Sequence, residues 1–359
     1  MELPDFPWDR LEPYKKTAAA HPGGLVDLSV GTPVDPTPEV ARKALAEASD
    51  APGYPQTWGT PALRESVAGW LRRRLGVQAD PDAVLPAIGT KELVAWLPLL
   101  LGVGPGDTVV FPELAYPTYD VGARIAGATG LASDGLLQLG PARPKLLWIN
   151  SPANPTGKVL PPDHLRKVVS WARERGVTLV SDECYIELYW EGERPVSMLH
   201  PDICGGSHEG LLAVHSLSKR SNLAGYRAGF VTGDPVLVRR LLELRKHAGM
   251  IMPAPVQAAM AATYDDDAHA AEQIERYRAR RAALKAALEG HGFRVDHSEA
   301  SLYLWSTRDE PCWETVSHLA SLGVLVAPGE FYGPAGGRHV RVAITATDER
   351  VAEAVARLG

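Results

Sequence analysis

The sequence has few of the features that would place a protein in a membrane, on nucleic acid or around a metal ion. Only three of its 359 residues are cysteine, they lie far apart, and none forms a CxxC pair. The eleven histidines show neither HxH nor HExxH spacing. A disulfide framework and a metal site are therefore disfavoured. The longest apolar stretch, 93–101, is far below the roughly 20 residues that a membrane span requires.

Excess positive charge is also absent. There are 37 lysines and arginines against 43 aspartates and glutamates, which gives a net charge of −6. A general binder of nucleic acid or of anionic membranes is usually basic, so we expect neither partner. The segment 1–21 carries several charges and no apolar core of a signal peptide. These features together predict a reduced, cytoplasmic protein.

Short apolar runs alternate with helical patterns through much of the chain. The helical pattern 162–175 has apolar residues three and four positions apart. Continuous apolar strands separated by helices are typical of a parallel sheet with both faces covered. We therefore predict an α/β fold with a mainly parallel sheet. The predicted strands are 108–111, 146–149, 177–181, 211–215 and 228–232.

The C-terminal part of the chain has a different pattern. A long helix is predicted over 268–289, and helices of this length often bridge domains. Beyond it, alternating patterns at 292–295, 301–305, 311–322 and 340–344 predict a smaller α/β unit. We predict a large domain over 35–267 and a small domain formed by 1–34 together with 268–359.

The segment with the clearest chemical content follows the apolar run 211–215. Ser216, Ser218 and Lys219 come directly after it, where open α/β sheets place ligands. A lysine that emerges from a buried strand is desolvated, so its pKa falls and its amine can attack a carbonyl. The two hydroxyls, together with Arg227, can bind a phosphate. An aldehyde and a phosphate are both present in pyridoxal phosphate, which this residue set therefore suits.

This segment resembles the lysine motif of the class I and II aminotransferases of fold type I, S-x-S-K followed by G-x-R-x-G. The serines, Lys219, Gly225, Arg227 and Gly229 all match. The resemblance implies a fold-type I α/β architecture and pyridoxal 5′-phosphate bound covalently to Lys219. It also implies that Ser216, Ser218 and Arg227 contact the cofactor. A surface lysine–arginine loop is the structural alternative.

Further matches to this family follow in the family's order along the chain. In 181–185, the resemblance implies that Asp182 keeps the pyridine nitrogen protonated and that Tyr185 hydrogen-bonds the cofactor's 3′-oxygen. In 150–157, it implies that Asn154 contacts the same oxygen and helps bind substrate. The structural alternatives are a helix cap at Asp182 and an ordinary proline turn at 150–157.

Three other positions match cofactor contacts of the family. Gly89, Thr90 and Lys91 precede a helical run, and amides at a helix N-terminus bind phosphate. Tyr116 matches the aromatic residue that stacks on the cofactor ring, although a core tyrosine is an alternative. Tyr54 matches the tyrosine that reaches the phosphate of the neighbouring subunit, which implies a homodimer with shared active sites. Simple turn packing is the alternative for Tyr54.

Two positions match the substrate contacts of the family. The resemblance implies that Arg341 binds the substrate's α-carboxylate, for which a planar guanidinium fork is suited. Arg338 is the alternative, being close in sequence. Gly31 matches the loop that closes over the substrate. Amino-acid and keto-acid substrates are the partners implied.

Four segments, 6–9, 26–35, 51–55 and 331–339, carry a finer resemblance. They are similar to actinobacterial N-succinyldiaminopimelate aminotransferases of lysine biosynthesis. Animal-type aspartate aminotransferases place an arginine in the region matching 247–256, where this chain has neither arginine nor lysine. Strict aspartate specificity by that route is therefore disfavoured.

The resemblance also implies a reaction course. Lys219 would hold the cofactor, give it up to an amine donor, expected to be glutamate, and then act as general base at Cα. A second keto acid would reverse these steps, which gives ping-pong kinetics. Other amino-acid specificities remain open, as does a pyridoxal-phosphate-dependent β-lyase, decarboxylase or racemase. A cofactor-binding transcription regulator is a further alternative, but we find no helix-turn-helix pattern before Gly31.

Overall fold

The computed structural model describes residues 4–359, and most of them form helices and strands. The strands are β1 Val26–Asp27, β2 Val84–Ile88, β3 Thr108–Phe111, β4 Thr129–Ala132, β5 Leu146–Asn150, β6 Thr178–Asp182, β7 Leu211–Ser216, β8 Ala228–Gly233, β9 Arg294–Asp296, β10 Tyr303–Thr307, β11 Val324–Leu325, β12 Ala327–Pro328 and β13 Val340–Ala343. The helices are α1 Glu12–Ala19, α2 Glu39–Glu47, α3 Pro61–Leu75, α4 Thr90–Leu100, α5 Thr118–Ile125, α6 Pro162–Arg175, α7 Pro201–Cys204, α8 Leu217–Arg220, α9 Pro235–Ala248, α10 Ala254–Asp265, α11 Ala268–Gly290, α12 Cys312–Ser321 and α13 Asp348–Leu358. Short 3₁₀ turns lie at Pro7–Leu11, Pro81–Ala83, Gly329–Tyr332 and Pro334–Gly336.

Seven strands form the main sheet in the order β2-β8-β7-β6-β5-β3-β4. β3 through β7 pair in parallel, whereas β8 is antiparallel to both of its neighbours. Both faces are covered, because Leu147 and Ile149 of β5 belong to one hydrophobic cluster and Leu146 and Trp148 belong to another. The predicted α/β fold with a mainly parallel sheet is therefore confirmed.

The order of the central strands positions the chemically interesting residues. β5, β6 and β7 are neighbours and run in the same direction. They end at Asn150, Asp182 and Ser216, so their carboxyl ends meet at one edge of the sheet. The segments that follow these strands carry the polar residues predicted from the sequence.

A second sheet lies in the C-terminal part, in the order β12-β13-β10-β9, and its strand pairs are all antiparallel. β1, near the N-terminus, pairs in parallel with β11. Arg280 of α11 donates to both carboxylate oxygens of Asp35 at 2.7 Å and to Asp348 at 2.6 Å. The domain boundaries near residues 34 and 268 remain a prediction, and residues 1–3 of the segment 1–34 lie outside the described part.

No helix of residues 4–359 is long and apolar enough to cross a membrane. No cluster of three or more histidine, cysteine or acidic side chains among them is placed to hold a metal ion. The cysteines Cys184, Cys204 and Cys312 are all free thiols.

Candidate active site

A cavity of about 470 Å³ lies at the carboxyl edge of the main sheet. Residues that follow β5, β6 and β7 line it, and so does the start of α4. β10 and β13 of the second sheet contribute Tyr303 and Arg341. Trp8 and Phe6 of the N-terminal segment line it as well. Two sheets and the N-terminal segment thus meet around one space.

Asp182 is a buried carboxylate on the wall of this cavity. Its Oδ2 accepts a hydrogen bond from the Tyr119 hydroxyl at 2.8 Å, and its Oδ1 accepts one from the Cys184 amide at 3.2 Å. Burial raises the pKa of Asp182, while these hydrogen bonds work in the opposite direction. No cationic side chain of residues 4–359 forms an ion pair with it. A cation bound in the cavity would therefore stabilise the ionised form.

Lys219 lies in the short helix α8, directly after β7. Its ammonium donates a hydrogen bond to the carbonyl oxygen of Gly31. Burial lowers the pKa of Lys219, and the positive charges of Arg341 and Arg227 lower it further. The lowered pKa increases the fraction of neutral amine, which is the form that can attack a carbonyl.

A group of hydroxyls, backbone amides and one guanidinium surrounds another part of the cavity. Ser216 caps α8 by accepting a hydrogen bond from the Ser218 amide at 3.0 Å. Gly89 precedes α4 with φ of 77°, and a side chain there would overlap the guanidinium of Arg227. Arg227 itself has φ of 56°, a strained value for a residue other than glycine. The donors that converge here suit a phosphate group.

Arg341 is a buried cation that no carboxylate of the described residues neutralises. It is 3% exposed, and it donates to Asn154 Oδ1 at 2.9 Å and to the Ser29 carbonyl at 2.8 Å. The backbone of Asn154 is held in turn, because its backbone N–H donates to Asn150 Oδ1 at 2.8 Å. The Nε of Arg341 has no hydrogen-bond acceptor within residues 4–359. A buried, unmatched guanidinium favours an anionic ligand.

The structure brings nearly all of the predicted site residues together. The predicted residues that line the cavity are Gly31, Thr90, Lys91, Tyr116, Asn154, Asp182, Tyr185, Ser216, Ser218, Lys219, Arg227 and Arg341. Gly89 lies directly beneath Arg227. Tyr54 is fully exposed and does not line the cavity of its own chain. Arg338 is exposed and lies outside the lining, so of Arg338 and Arg341 only Arg341 lies at this site.

Several residues in or beside the cavity are not predicted from the sequence. Tyr303 lines it, with its hydroxyl 3.1 Å from the Tyr185 hydroxyl. Tyr119 lies behind it, stacked on Trp148 with ring centroids 4.9 Å apart, and holds Asp182. Tyr119 and Tyr303 have the pattern of core residues, and the sequence gives no signal that distinguishes them. Trp8 lies in the segment 6–9, which resembles N-succinyldiaminopimelate aminotransferases but does not by itself indicate a site residue.

Pyridoxal phosphate is a good match for this set of residues. The buried Asp182 has no cation, and a protonated pyridine nitrogen would supply one. The hydroxyls of Ser216 and Ser218 and the guanidinium of Arg227, which packs against Gly89, would hold the phosphate. Lys219 would provide the amine that links to the aldehyde, and Tyr116 an aromatic face.

Comparison with known proteins identifies the family. Residues 24–358 match the family model of class I and II aminotransferases. The chain belongs to this family, and it is accordingly a pyridoxal-phosphate-dependent aminotransferase. It is 66% identical over 357 residues to the 4-dedimethylamino-4-oxo-anhydrotetracycline transaminase OxyQ of Streptomyces rimosus, covering 99% of each chain.

Two further relatives show how widely the family resemblance extends. A probable aminotransferase of Mycobacterium tuberculosis is 65% identical, and the match covers 99% of this chain and 85% of that protein. The solved structure of a probable N-succinyldiaminopimelate aminotransferase from Thermus thermophilus has a TM-score of 0.87 and 32% identity, over 98% of this chain and 99% of that one. The fold and the aminotransferase activity are thus common to relatives with different named substrates.

Proposed function

We propose that the protein transfers an amino group from glutamate to N-succinyl-2-amino-6-ketopimelate, forming N-succinyl-LL-2,6-diaminopimelate. The observation that carries this proposal is the buried guanidinium of Arg341, which no carboxylate of the described residues neutralises. It favours substrates with a carboxylate beside the reacting carbon. Glutamate and the proposed keto acid both have that group. The resemblance of segments 6–9, 26–35, 51–55 and 331–339 supports the choice of this keto acid.

Lys91 supports a substrate with a second carboxylate. Its ammonium lies at the cavity wall, 5.4 Å from the centroid of the Phe6 ring, and forms no ion pair with a carboxylate of residues 4–359. Both glutamate and the proposed keto acid carry further negative charge beyond the reacting carbon. We infer that Lys91 attracts this charge, in addition to the cofactor proximity expected from the sequence.

Four site residues have a defined task in the proposed reaction. Pyridoxal phosphate, when bound, supplies an aldehyde for the amine and a ring that accepts the electron pair left at Cα. Asp182 holds a proton at the ring nitrogen. Lys219 Nζ would take the proton from the substrate's Cα and would pass it on to the bound cofactor. Arg341 and Asn154 orient the substrate so that this proton faces Lys219.

A second candidate is amination of a ketone on a polycyclic framework. The 66% identity to OxyQ, whose name specifies a 4-oxo-anhydrotetracycline, favours it. The aromatic lining from Phe6, Trp8 and Tyr116 is compatible with such a substrate. The two candidates share the amino-donor half of the reaction. They differ in the acceptor, because a ring ketone has no carboxylate on the reacting carbon.

Comparison of kcat/KM values tests the proposed acceptor. Each acceptor ketone would be supplied together with glutamate. The kcat/KM of the succinylated keto acid should exceed the values for its acetylated and unacylated analogues. The set should include 4-dedimethylamino-4-oxo-anhydrotetracycline and the keto acids of aspartate and of aromatic and branched-chain amino acids. A tenfold preference for one of these others, about 1.4 kcal/mol of transition-state stabilisation, would overturn the proposed substrate while leaving the aminotransferase intact.

Arg341→Lys should impair both half-reactions by roughly tenfold to a hundredfold, because a point charge does not reproduce a bidentate fork. The donor half is measured as the loss of the cofactor's visible absorption on adding glutamate. The acceptor half is measured as its return on adding the ketone. Arg338→Lys is the matched control and should leave both halves unchanged. A variant impaired only with glutamate would favour the ring ketone as acceptor.

Lys91→Met should raise KM for glutamate by roughly fivefold to tenfold, because the charge is lost and the length of the side chain is kept. The same variant should have an unchanged KM for a donor with an uncharged side chain, such as norvaline. Lys167→Met, on the exposed face of α6, is the control. An equal rise in KM for both donors would show that Lys91 does not bind the distal carboxylate.

We further propose a homodimer in which Tyr54 reaches the partner's cofactor. Its ring is fully exposed, so residues 4–359 offer it no packing that would explain an aromatic residue there. Mixing Tyr54→Phe with Lys219→Ala subunits should give heterodimers with one doubly altered site and one intact site. The mixture should therefore be more active than either variant alone. A stable, active monomer in gel filtration would contradict the shared site.

A further inference from the structure

Tyr303 is a buried residue of the cavity wall to which the proposed reaction assigns no task. It is the first residue of β10, paired across the second sheet with Ala343 of β13. Arg341 lies on the same strand, two positions before Ala343. The second sheet therefore brings a phenol and the buried guanidinium to the same face of the cavity.

Three contacts define the surroundings of Tyr303. Its hydroxyl lies 3.1 Å from the Tyr185 hydroxyl. Its ring faces the guanidinium of Arg341, whose Cζ is 3.8 Å from the ring centroid. Its hydroxyl also occupies the space that a side chain at position 31 would need, so only glycine fits there. The carbonyl of that glycine accepts the hydrogen bond from Lys219.

The charges nearby determine which tyrosine donates the hydrogen bond. The positive charges of Arg341 and Lys219 lower the pKa of Tyr303, against the effect of its burial. Burial raises the pKa of Tyr185. The more acidic phenol is the stronger donor. At the observed 3.1 Å either hydroxyl could donate, and these charges favour Tyr303 as the donor to Tyr185. A hydroxyl has one proton, so the proton of Tyr185 is left to point elsewhere, into the cavity.

We propose that Tyr303 is a positioning residue with two separable roles, in which its hydroxyl orients the Tyr185 proton and its ring supports Arg341. This inference rests on the proposed function and on the hydrogen bond from Tyr185 to the 3′-oxygen of the cofactor that the family resemblance implies. A donor that itself accepts a hydrogen bond is the more strongly polarised donor. The face of the ring holds Arg341 where it meets the substrate's carboxylate, by a cation–π contact.

Tyr303→Phe isolates the first role, because it removes the hydroxyl and keeps the ring. With pyridoxal phosphate bound, the visible absorption band is followed as a function of pH. The midpoint should rise by roughly 0.5 unit, because a weaker donor at Tyr185 leaves the 3′-oxygen holding its proton more tightly. The dissociation constant of succinate, an unreactive dicarboxylate, should change less than twofold.

Comparing Tyr303→Leu with Tyr303→Phe isolates the second role, because both variants lack the hydroxyl and only the leucine variant lacks the aromatic face beneath Arg341. The dissociation constant for succinate should then rise by roughly fivefold or more. Tyr332→Phe is the matched control. Its ring centroid lies 4.8 Å from the same guanidinium, and its buried hydroxyl has no hydrogen-bond partner within residues 4–359. The visible absorption band of Tyr332→Phe should have the same pH midpoint as the band of the unaltered protein.

The outcomes separate this inference from the proposed function. If the unaltered protein binds pyridoxal phosphate and transaminates, while Tyr303→Phe titrates with the same midpoint, the orienting role is wrong and the proposed function stands. If Tyr303→Leu binds succinate normally, the supporting role is wrong. If the unaltered protein shows no visible band with the cofactor, the proposed function itself fails. The Tyr303→Phe result decides the first role even when the leucine variant does not fold.

Discussion

Replacing Lys219 with alanine should abolish transamination, with a loss of at least about 10⁴-fold in kcat. The variant lacks both the amine that links to the cofactor and the base that moves the Cα proton. No other lysine can replace it from within residues 4–359, because Lys91 is the only other lysine at the cavity and is exposed at its wall. The measurement is glutamate-dependent formation of product by the variant supplied with excess pyridoxal phosphate.

The same variant should still bind the cofactor without a covalent link. Ser216, Ser218 and Arg227 are unchanged, so the phosphate contacts remain. Lys158→Ala, which removes an exposed lysine outside the cavity, is the control and should keep full activity. If Lys219→Ala retained more than a few per cent of the activity, Lys219 would not be the catalytic base.

Asp182→Ala should lower kcat by roughly 10³-fold, about 4 kcal/mol, because the pyridine nitrogen loses the carboxylate that keeps it protonated. The affinity for pyridoxal phosphate should change by only about tenfold, since the phosphate contacts are kept. Single-turnover rates with glutamate and titration of the apoprotein with cofactor give the two quantities. Asp182→Ala should therefore lower kcat far more than it lowers the affinity for pyridoxal phosphate.

Two further variants distinguish charge from shape at this position. Asp182→Asn keeps the size of the side chain and a group that can accept from Tyr119, but it has no charge. It should be nearly as slow as the alanine variant. Tyr119→Phe removes only the 2.8 Å hydrogen bond to the carboxylate, so its loss should be smaller, near tenfold. Near-normal turnover of Asp182→Asn would show that Asp182 is only a structural cap.

Much of the fold could be predicted because its signals are local. The predicted strand 108–111 and helix 162–175 coincide with β3 and α6. β5, β7 and β8 each end one residue later than predicted, and β6 is shifted by one residue. The direction of β8 could not be predicted in this way. Its apolar sequence resembles that of the parallel strands, and it is antiparallel to β7 across a connection of Leu217 to Arg227. A parallel neighbour needs a longer crossover.

The candidate site was predictable where its residues follow strands in short motifs. Asp182 and Lys219 stand at the ends of β6 and β7, where ligands bind in open α/β sheets. Tyr303 gave no such signal, because its place in the cavity depends on how the second sheet packs against the first. The role proposed for Tyr54 requires a second chain and stays a prediction. The position of Tyr303 depends on long-range packing that residue spacing does not encode.

Borohydride reduction of the holoprotein, followed by peptide mapping, tests the central claim most directly. Reduction fixes the bound cofactor permanently to the amine that holds it. The purified protein should be yellow before reduction, and the modified peptide should contain residues 217–220 with the added mass on Lys219. A label on any other lysine, or no label on a protein that transaminates, would contradict the assignment of Lys219.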